Sequence, residues 1–306
     1  MKASIVIPVH NRPDDLAHVL SQLAGQSDLD FEVVVVDDGS TPPVSDSAHH
    51  GGCPYSFTLV RHEARQGVGR ARNTGVKNAR TDVIVFVDSD GDISDVEWFQ
   101  KHMALREQAR EMAANRDAAH FVFHSEVRGL SKTLVGRVDT YSNWFGSCMT
   151  RAEIVTDRHV PTHNTSAHRA VFEDVGYFDE ELGLCEDVEW CLRCLDHGVA
   201  LIYIPGAPVG HFDRDTIRGV WDHYLRLGRY APLVRRKRPK SAFSALYPRN
   251  RFAAALLFLP FTTLLTTYIT LQWLPRSPVV ILYVPGLFFA NVAYYVGMCQ
   301  TLMAEP

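Results

Sequence analysis

Runs of apolar, mostly β-branched residues alternate with polar segments along the first part of the chain. The clearest runs are residues 3–9 (ASIVIPV), 31–36 (FEVVVV) and 83–87 (VIVFV), and residues 56–62 form a weaker one. Because the apolar residues follow one another instead of alternating with polar ones, both faces of these strands should be buried. This pattern is typical of a parallel sheet that helices cover on both sides.

Two segments between the predicted strands have helix signals. Asn11 is a candidate N-cap, and Pro13 suits the first turn of a helix that we expect to reach about Gly25. A second helix is expected over residues 67–79. The order strand, helix, strand, strand, helix, strand predicts an open, mostly parallel α/β sheet flanked by helices. Ligands of such sheets bind beyond the carboxyl ends of the strands.

Carboxylates follow two of the predicted strands. Asp37 and Asp38 follow the second strand, and Asp88 and Asp90 follow the fourth, with the small residue Ser89 between them. Carboxylates spaced i, i+2 around a turn can face one cation, and oxygen ligands suit Mg²⁺ or Mn²⁺. An Asp-x-Asp also occurs as a solvated turn. Its position at a strand end, beside a second acidic strand end, favours a cation site for a phosphate-bearing substrate.

Two acids and a histidine that could take part in catalysis or metal binding occur further along the chain. Glu186 and Asp187 belong to the segment that begins an expected helix, which continues over residues 188–197. Both acids would therefore lie in its first turn, near the positive end of the helix dipole. Such a carboxylate can accept a proton from an attacking hydroxyl, or it can simply be a common helix-start acid. His211 follows an expected strand over residues 200–204 and is either a metal ligand or a structural histidine.

Several of these segments together resemble family 2 of the inverting glycosyltransferases, which have the GT-A fold. The similar motifs stand in order over roughly residues 3–230: IVIPVHNRPDDL, VVVVDDGS, GVGRARNTGVKNARTDVIVFVDSDGD and VFEDVGYFDEELGLCEDVEWCLRCLDHGVALIYIPGAPVGHF. The resemblance implies a nucleotide-sugar donor (UDP-, GDP- or dTDP-linked) and a divalent cofactor, Mn²⁺ or Mg²⁺. It does not identify the sugar.

The resemblance also implies roles for the residues at matching positions. Donor contacts are implied for residues at the ends of the first, second and fourth strands: Pro8, His10, Asp37, Asp38, Asp88 and Ser89. The implied metal ligands are Asp88, Asp90 and His211. Asp187 would be the catalytic base, and Glu186 would orient the acceptor or cap the helix. Arg70, Arg72 and Asn73 would lie near the diphosphate, unless they form an exposed basic helix face.

The expected reaction is inverting transfer of a sugar to a hydroxyl of a lipid-linked or membrane-proximal acceptor. One alternative is a polyprenyl-phosphate sugar synthase, whose phosphate acceptor needs no general base, and the Glu186-Asp187 pair argues against it. A processive polysaccharide synthase would carry Gln-x-x-Arg-Trp after the base, and this chain does not. The remaining alternative is a catalytically inactive scaffold subunit that binds a nucleotide-sugar. The chain has an acid at every acidic position of the family's motifs, and this argues against an inactive subunit.

Composition excludes some partners. With 31 basic and 35 acidic residues the formal net charge is −4, which gives no nucleic-acid signature. Six cysteines fit a reducing compartment, and we expect free thiols. Cys191 and Cys194 form a C-x-x-C without a second pair at zinc-like spacing, so two buried helical cysteines are favoured over a zinc site.

The C-terminal region is basic and then apolar. The basic residues crowd into a short stretch: Arg235, Arg236, Lys237, Arg238, Lys240, Arg249 and Arg251. Residues 252–274 and 279–303 are uncharged and long enough to cross a bilayer, with a turn between them. We expect a transmembrane hairpin in the cell membrane (multi-pass), with the catalytic domain on the cytoplasmic side by the positive-inside rule. A surface or re-entrant hairpin is the alternative, because threonines dilute the first segment and Pro260 and Pro285 would kink the helices.

Three domains are therefore predicted: a GT-A catalytic domain over 1–212, a basic, amphipathic membrane-proximal segment over 213–251 and the membrane hairpin over 252–306. Residues 215–233 should form an amphipathic helix, which either packs into a core or lies at the membrane interface. Small residues on the hairpin could also pair copies of the chain into a homo-oligomer. Residues 121–144 are expected to supply loops that shape the sugar pocket.

Overall fold

The computed structural model describes residues 1–44, 54–147, 149–156, 158–238, 247–248 and 250–304. It divides the chain into two compact units. The first contains residues 1–127 and 151–211, and the second contains residues 128–150 and 212–306. The segment 128–150, which the sequence placed within the catalytic domain, is thus grouped with the C-terminal helices.

Strands and helices alternate through the first unit, and helices dominate the second. The strands are β1 Ala3–Val9, β2 Phe31–Asp38, β3 Ser56–His62, β4 Val83–Phe86, β5 Gly91–Asp92, β6 Phe121–His124, β7 Val127–Gly129, β8 Glu153–Val155, β9 Thr165–His168, β10 Ala200–Tyr203 and β11 Val209–His211. The α-helices are α1 Pro13–Ala24, α2 Val68–Asn78, α3 Trp98–Ala114, α4 Leu134–Asn143, α5 Arg169–Val175, α6 Glu186–Asp196, α7 Ile217–Lys237, α8 Arg251–Trp273 and α9 Val284–Ala304.

The first unit is built on a sheet whose order, among the described residues, is β3-β2-β1-β4-β9-β6-β10-β8. β1 pairs in parallel with β2 and β4, whereas β9 is antiparallel to both β4 and β6, and β8 is antiparallel to β10. The prediction of an open, mostly parallel α/β sheet is confirmed. Since Val9 pairs with Asp37 and Val6 with Phe86, the acidic ends of β2 and β4 lie at the same edge of the sheet.

Apolar packing on both faces holds the sheet. Alternate residues of β1 and β2 pack with the apolar side of α1 and with Trp98 and Phe99 of α3, all of them almost fully buried. A fully buried aliphatic or aromatic side chain contributes roughly 1.5–3 kcal/mol relative to an exposed one. This core fixes the direction of each strand and hence the position of the loops that follow it.

The prediction that Asn11 is the N-cap of α1 is wrong. The N-cap is Arg12, and its side chain makes no capping hydrogen bond. Asn11 lies one residue earlier in a left-handed conformation (φ 54°), where its side chain accepts a hydrogen bond from the backbone N–H of Thr41 at 2.7 Å. Asn11 therefore joins two loops at the sheet edge instead of capping the helix.

In the second unit, α7 and α9 pack closely along their lengths. Val220 and Tyr224 of α7 bury their side chains against Ala290 and Ala293 of α9. The amphipathic helix predicted over 215–233 is present, and its apolar side is covered by a neighbouring helix. α4, within the segment from which we expected loops, also packs against α9, with Val135 and Val138 beside the same cluster.

The hairpin formed by α8 and α9 is held by polar contacts as well as apolar ones. The Asn291 amide of α9 donates to the Thr266 hydroxyl of α8 at 2.9 Å. The Trp273 indole N–H at the end of α8 donates to the Tyr141 carbonyl of α4 at 2.8 Å, which joins the hairpin to α4. Residues Phe252–Trp273 and Pro278–Ala304 are long and apolar enough to cross a membrane by length and composition. Lys240 and Arg249 of the basic stretch lie outside the described residues.

Two glycines set the distance between α7 and α9. A Cβ added at Gly228 would lie 1.9 Å from the Tyr294 carbonyl oxygen, and one added at Gly297 would lie 2.1 Å from the Leu225 carbonyl oxygen. Both neighbours are backbone atoms that cannot rotate away. We therefore predict that Gly228→Ala lowers the melting temperature of the detergent-solubilised chain by about 5 °C, although alanine favours an isolated helix by about 1 kcal/mol.

The matched control is Arg218→Ala on the same helix, whose side chain is 92% exposed. It should melt within about 1 °C of the unmodified chain, because exposed substitutions rarely change stability. An unchanged or higher melting temperature for Gly228→Ala would show that the two helices are not in close contact.

Candidate active site

The Asp-x-Asp turn follows β4 and returns through the short strand β5. The backbone N–H of Asp88 donates to His163 Nδ1 at 3.0 Å. The Asp90 carboxylate accepts a hydrogen bond from the Arg12 guanidinium at 2.8 Å and lies 3.7 Å from His211 Nε2. Two carboxylates and an imidazole that the sequence assigned to one metal are thus brought to the same edge of the sheet.

The position of His211 follows from strand pairing. β11 runs antiparallel to β5, with His211 opposite Gly91. Gly91 is in close contact with His163, because a Cβ at this position would lie 2.8 Å from His163 Cε1. A residue with a side chain would therefore push the imidazole away from the turn.

The donor set fits a hard divalent cation. Carboxylate oxygens and imidazole nitrogen are ligands that Mn²⁺ accepts, and Mg²⁺ favours the carboxylates. Among the residues that the structure describes, however, no three His, Cys, Asp or Glu side chains are close enough to form a metal site as they stand. Asp88 and Asp90 instead pair with arginines.

Arg72 on α2 is the centre of the site. Its guanidinium forms an ion pair with Asp88 at 2.7 Å and another, shorter one with Glu186, and only 4% of the residue is exposed. Burial alone would lower the pKa of Arg72, but the charges of Asp88, Glu186 and Asp187 raise it above its ordinary value. The alternative that Arg72 belongs to an exposed basic face is therefore wrong.

Nearby charge also determines the protonation state of the Asp88 carboxyl group. Burial raises the pKa of Asp88, but the charge of Arg72 and its hydrogen bond, with the nearby imidazoles, outweigh burial, so the net pKa lies below the ordinary value. Asp88 is consequently held as a carboxylate, the form in which an aspartate can bind a cation.

The two acids at the start of α6 have different environments. Glu186 is buried, and burial and the Asp187 charge raise its pKa to about 7, while the Arg72 ion pair opposes this shift. Asp187 is half-buried, and its Oδ1 accepts a hydrogen bond from the Val188 N–H at 2.8 Å. Cys185 before them is left-handed (φ 65°), so a sharp bend of the backbone begins the helix. Of the two, only Asp187 combines solvent access with a position in the first turn.

Asp37 at the end of β2 is fully buried and stabilises its own loop. Its carboxylate accepts hydrogen bonds from the backbone N–H groups of Ser40 (2.8 Å) and Val44 (3.1 Å) and forms a short ion pair with Arg61. Burial raises the pKa of Asp37, but these partners together lower it below its ordinary value. The turn depends on Gly39, which has φ 70° and a would-be Cβ 2.5 Å from a backbone nitrogen.

Asp38 stabilises the loop before α2. One carboxylate oxygen accepts from His62 Nδ1 and the Gln66 N–H, each at 2.8 Å, and the other accepts from the Gly67 N–H at 2.9 Å. The Asp38 carbonyl oxygen is 2.8 Å from His10 Nδ1. The two acids therefore shape the loops at this edge, and His10 is attached to one of them.

Pro8 and Ser89 also lie at this edge. Pro8 lies within β1 opposite Val36 of β2, and Ser89 is 6% exposed within the Asp-x-Asp turn. The structure brings Asp88 and Glu186-Asp187 together around Arg72 and places Asp90 beside His211 in the adjoining turn, while Asp37, Asp38 and His10 form a neighbouring group.

His163, which the sequence did not single out, is buried beside this group. It accepts a hydrogen bond from the Asp88 N–H through Nδ1, and its Nε2 lies 3.3 Å from the Gly210 carbonyl oxygen. The imidazole thereby connects the Asp-x-Asp turn to the strand that carries His211. No spacing motif marks this residue in the sequence, where it lies in a polar segment before a short strand.

The cysteines are not part of this chemistry. Within the described residues Cys185, Cys191, Cys194 and Cys299 are free thiols, as predicted. Cys191 and Cys194 are buried on α6, and burial raises the pKa of Cys194 to about 12. Both behave as buried helical residues.

Comparison with known proteins identifies the family. The chain matches glycosyl transferase family 2 over residues 4–176 and glycosyl transferase family group 2 over residues 100–296. The first match alone covers more than half of the 306 residues. The chain belongs to glycosyl transferase family 2, and its mixed α/β architecture is the GT-A fold.

Individual relatives agree with this assignment. The chain is 30% identical over 247 residues to the pre-mycofactocin glycosyltransferase of Mycobacterium tuberculosis, covering 78% of this chain and 49% of that protein. It is 25% identical over 227 residues to glycosyltransferase AglE of Haloferax volcanii, covering 70% of each. The chain thus spans about half the length of the first of these relatives.

A solved structure has the same fold. The mannosyltransferase PcManGT from Pyrobaculum calidifontis superposes with a TM-score of 0.66 and 15% sequence identity, over 100% of this chain and 88% of that one. At this level of identity the similarity establishes the fold alone.

The central position of Arg72 generates a stability prediction. Arg72→Met keeps an extended side chain but leaves the buried Glu186 and the partly exposed Asp88 without their cation. Removing one partner of a buried ion pair costs roughly 3–5 kcal/mol, so we expect a large decrease in the free energy of unfolding. Arg72→Lys should recover part of the loss, because one ammonium cannot match a guanidinium that spans two carboxylates.

Arg70→Met is the control. Arg70 lies on the same helix, its side chain is 49% exposed, and its partner Glu180 lies at the surface. An exposed pair contributes roughly 0–1 kcal/mol. Denaturant unfolding in the presence of a chelator measures both variants, and equal stabilities would refute the central role of Arg72.

Proposed function

We propose that this protein is a metal-dependent, inverting glycosyltransferase that moves a sugar from a nucleotide-sugar to a hydroxyl of a lipid-linked or membrane-proximal acceptor. The observation that carries the proposal is the Arg72 bridge between Asp88 and Glu186. It holds the Asp-x-Asp turn and the acidic start of α6 next to each other. The turn that would bind the cation at the leaving phosphate is thus adjacent to the carboxylates that could accept the acceptor proton.

The donor is a nucleoside diphosphate sugar. Its phosphates carry negative charge that increases as the bond to the sugar breaks, and fixed positive charge stabilises that change. Asp88, Asp90 and His211 would hold the cation, Mn²⁺ or Mg²⁺, which supplies positive charge to the leaving diphosphate. Support comes from the family and from PcManGT, whose structure contains GDP-Man and Mn²⁺.

Asp187 is the general base. The acceptor oxygen forms a bond to the anomeric carbon while the bond from that carbon to the phosphate oxygen breaks. The acceptor proton passes to the Asp187 carboxylate, and the nucleoside diphosphate leaves with the bonding electrons. Attack opposite the leaving group inverts the anomeric centre. The half-exposed Asp187 suits this role better than Glu186, which is buried against Arg72.

The acceptor assignment depends on the second unit. Two C-terminal helices that are apolar enough for a membrane favour an acceptor at the lipid surface. A lipid phosphate acceptor, as in a polyprenyl-phosphate sugar synthase, would need cationic groups and no base. The carboxylates at the start of α6 favour a hydroxyl.

Metal dependence is the first test. Asp90→Asn removes one proposed ligand charge, and we expect at least a hundredfold loss of transfer and weaker Mn²⁺ binding by calorimetry. Asp82→Asn is the control, since the Asp82 side chain is 75% exposed and outside the site. Full activity of the unmodified chain in excess chelator would exclude the metal.

The base is tested by Asp187→Asn. General-base catalysis contributes roughly 10²–10⁴-fold, so turnover should decrease by about a hundredfold or more while donor affinity stays within a few-fold. Asp196→Asn at the exposed end of the same helix should leave both unchanged. Loss of donor binding in Asp187→Asn, or near-normal turnover, would contradict its assignment as the base.

A further inference from the structure

α7 runs beside α9 in the same direction. The Trp221 ring contacts the Phe289 ring in a tilted arrangement with centroids 5.2 Å apart, and further along the Arg229 guanidinium donates to Gln300 at 2.8 Å. The Thr301 hydroxyl donates to the Arg229 carbonyl at 2.8 Å. Between these contacts α9 advances from residue 289 to residue 301, which is about 18 Å at 1.5 Å per residue. Over this stretch, the depth that α9 occupies in a membrane is therefore also a depth of α7.

The outer side of α7 is charged. Charged, exposed residues recur at helical spacing on the side of α7 away from α9: Arg218, Asp222 and Arg226. The first two side chains are 92% and 53% exposed. A span of α9 across the roughly 30 Å hydrocarbon layer would place this charged stripe against lipid tails. Charged side chains in a membrane face protein or a water-filled cavity, and the described residues of the second unit leave these three side chains exposed.

α9 itself is a central helix. Most of its residues are buried or half-buried, including Leu287, Ala290, Ala293 and Met298, which are fully enclosed. α4, α7 and α8 provide the covering side chains. In the apolar segment that contains α9, 33% of the residues are buried, and most other residues of α9 are half-buried, so α9 is only partly open to lipid.

α8 provides the apolar surface. Its exposed side chains are uncharged and lie on one broad face; the large ones are Phe252, Leu256, Leu259, Leu264 and Leu271, between 54% and 80% exposed. Ile281 and Leu282, in the turn that follows, are 57% and 75% exposed. The opposite side of α8 packs on α9 through Phe261 and the Thr266–Asn291 hydrogen bond. One surface of the second unit is thus apolar and another is charged.

We propose that the second unit is monotopic: the outer face of α8 inserts into one leaflet of a lipid bilayer, and the charged stripe of α7 stays in water. In this arrangement the helices lie along the membrane surface, as expected for an apolar face that is buried about 5–10 Å deep. The hairpin tip then does not reach the opposite side. This replaces the spanning hairpin expected from sequence and holds independently of the reaction catalysed by the first unit.

The experiment is labelling of the full chain with a membrane-impermeant maleimide in sealed right-side-out and inverted membrane vesicles. Arg226→Cys reports the charged stripe, and Arg276→Cys reports the hairpin tip. The unmodified chain, labelled in parallel, gives the background of its native cysteines. Detergent-solubilised samples give the maximum for each variant.

We expect Arg226→Cys to react in one vesicle orientation at a rate within a few-fold of its rate in detergent. Arg276→Cys should react in that same orientation or in neither, while reacting fully in detergent. Reaction of Arg276→Cys only in the opposite orientation would overturn the proposal. Protection of Arg226→Cys in both orientations would overturn it too, because the stripe would then lie within the bilayer.

A second measurement tests the lipid as the occupant of the α8 face. The double variant Leu259→Glu with Leu264→Glu should reduce co-sedimentation with phosphatidylethanolamine–phosphatidylglycerol vesicles at least tenfold, and Asp222→Lys should not reduce it. If the unmodified chain is a stable dimer and does not co-sediment with vesicles, a second copy covers α8 and the lipid assignment is wrong.

Discussion

The first unit depends on one buried guanidinium. Arg72 is 4% exposed and lies between Asp88, at the end of a central strand, and Glu186, at the start of a helix that comes about a hundred residues later. Burying Arg72 and Glu186 beside the partly exposed Asp88 is favourable only when each charge has a partner, because an isolated ion loses its hydration without compensation. The strand end and the helix start must therefore meet in one geometry, and Asp187 takes its position from the residue beside it.

Around this centre, backbone hydrogen bonds do the work of shaping the loops. Asp37 and Asp38 each accept two backbone N–H groups from the residues that follow β2 or precede α2. Carboxylates that accept several such bonds are strongly stabilised in the charged form. This explains how a run of apolar strand residues can end in two adjacent, almost fully buried acids. Their charge is neutralised locally, which leaves the edge of the sheet rigid around the donor groups.

Much of this fold could be predicted because its signals are local. Unbroken apolar runs identified β1, β2 and β4, and the mostly parallel sheet followed from helices between these strands. The contacts that complete the site are not local: Arg72 meets Glu186 at a separation of 114 residues, and Asp88 meets His163 at a separation of 75. A pattern of neighbouring residues contains no information about such pairs. The prediction that Asn11 caps α1 failed for a related reason. A side chain that can cap a helix can equally accept a hydrogen bond from a distant loop, here from the backbone N–H of Thr41.

The same rule of paired buried charge explains why residues 128–150 belong to the second unit. Asp139 on α4 is fully buried, and its carboxylate accepts hydrogen bonds from the Arg214 backbone N–H at 2.9 Å and the Arg214 guanidinium at 3.1 Å. The Tyr224 hydroxyl of α7 donates to the same carboxylate at 3.3 Å. Separating α4 from α7 would leave Asp139 charged and without these partners in an apolar surrounding, which is far more costly than losing the valine contacts alone. The Asp139 carboxylate thus adds to the apolar contacts and the Trp273–Tyr141 hydrogen bond that hold this internal segment to the C-terminal helices, although in sequence it lies between strands of the large sheet.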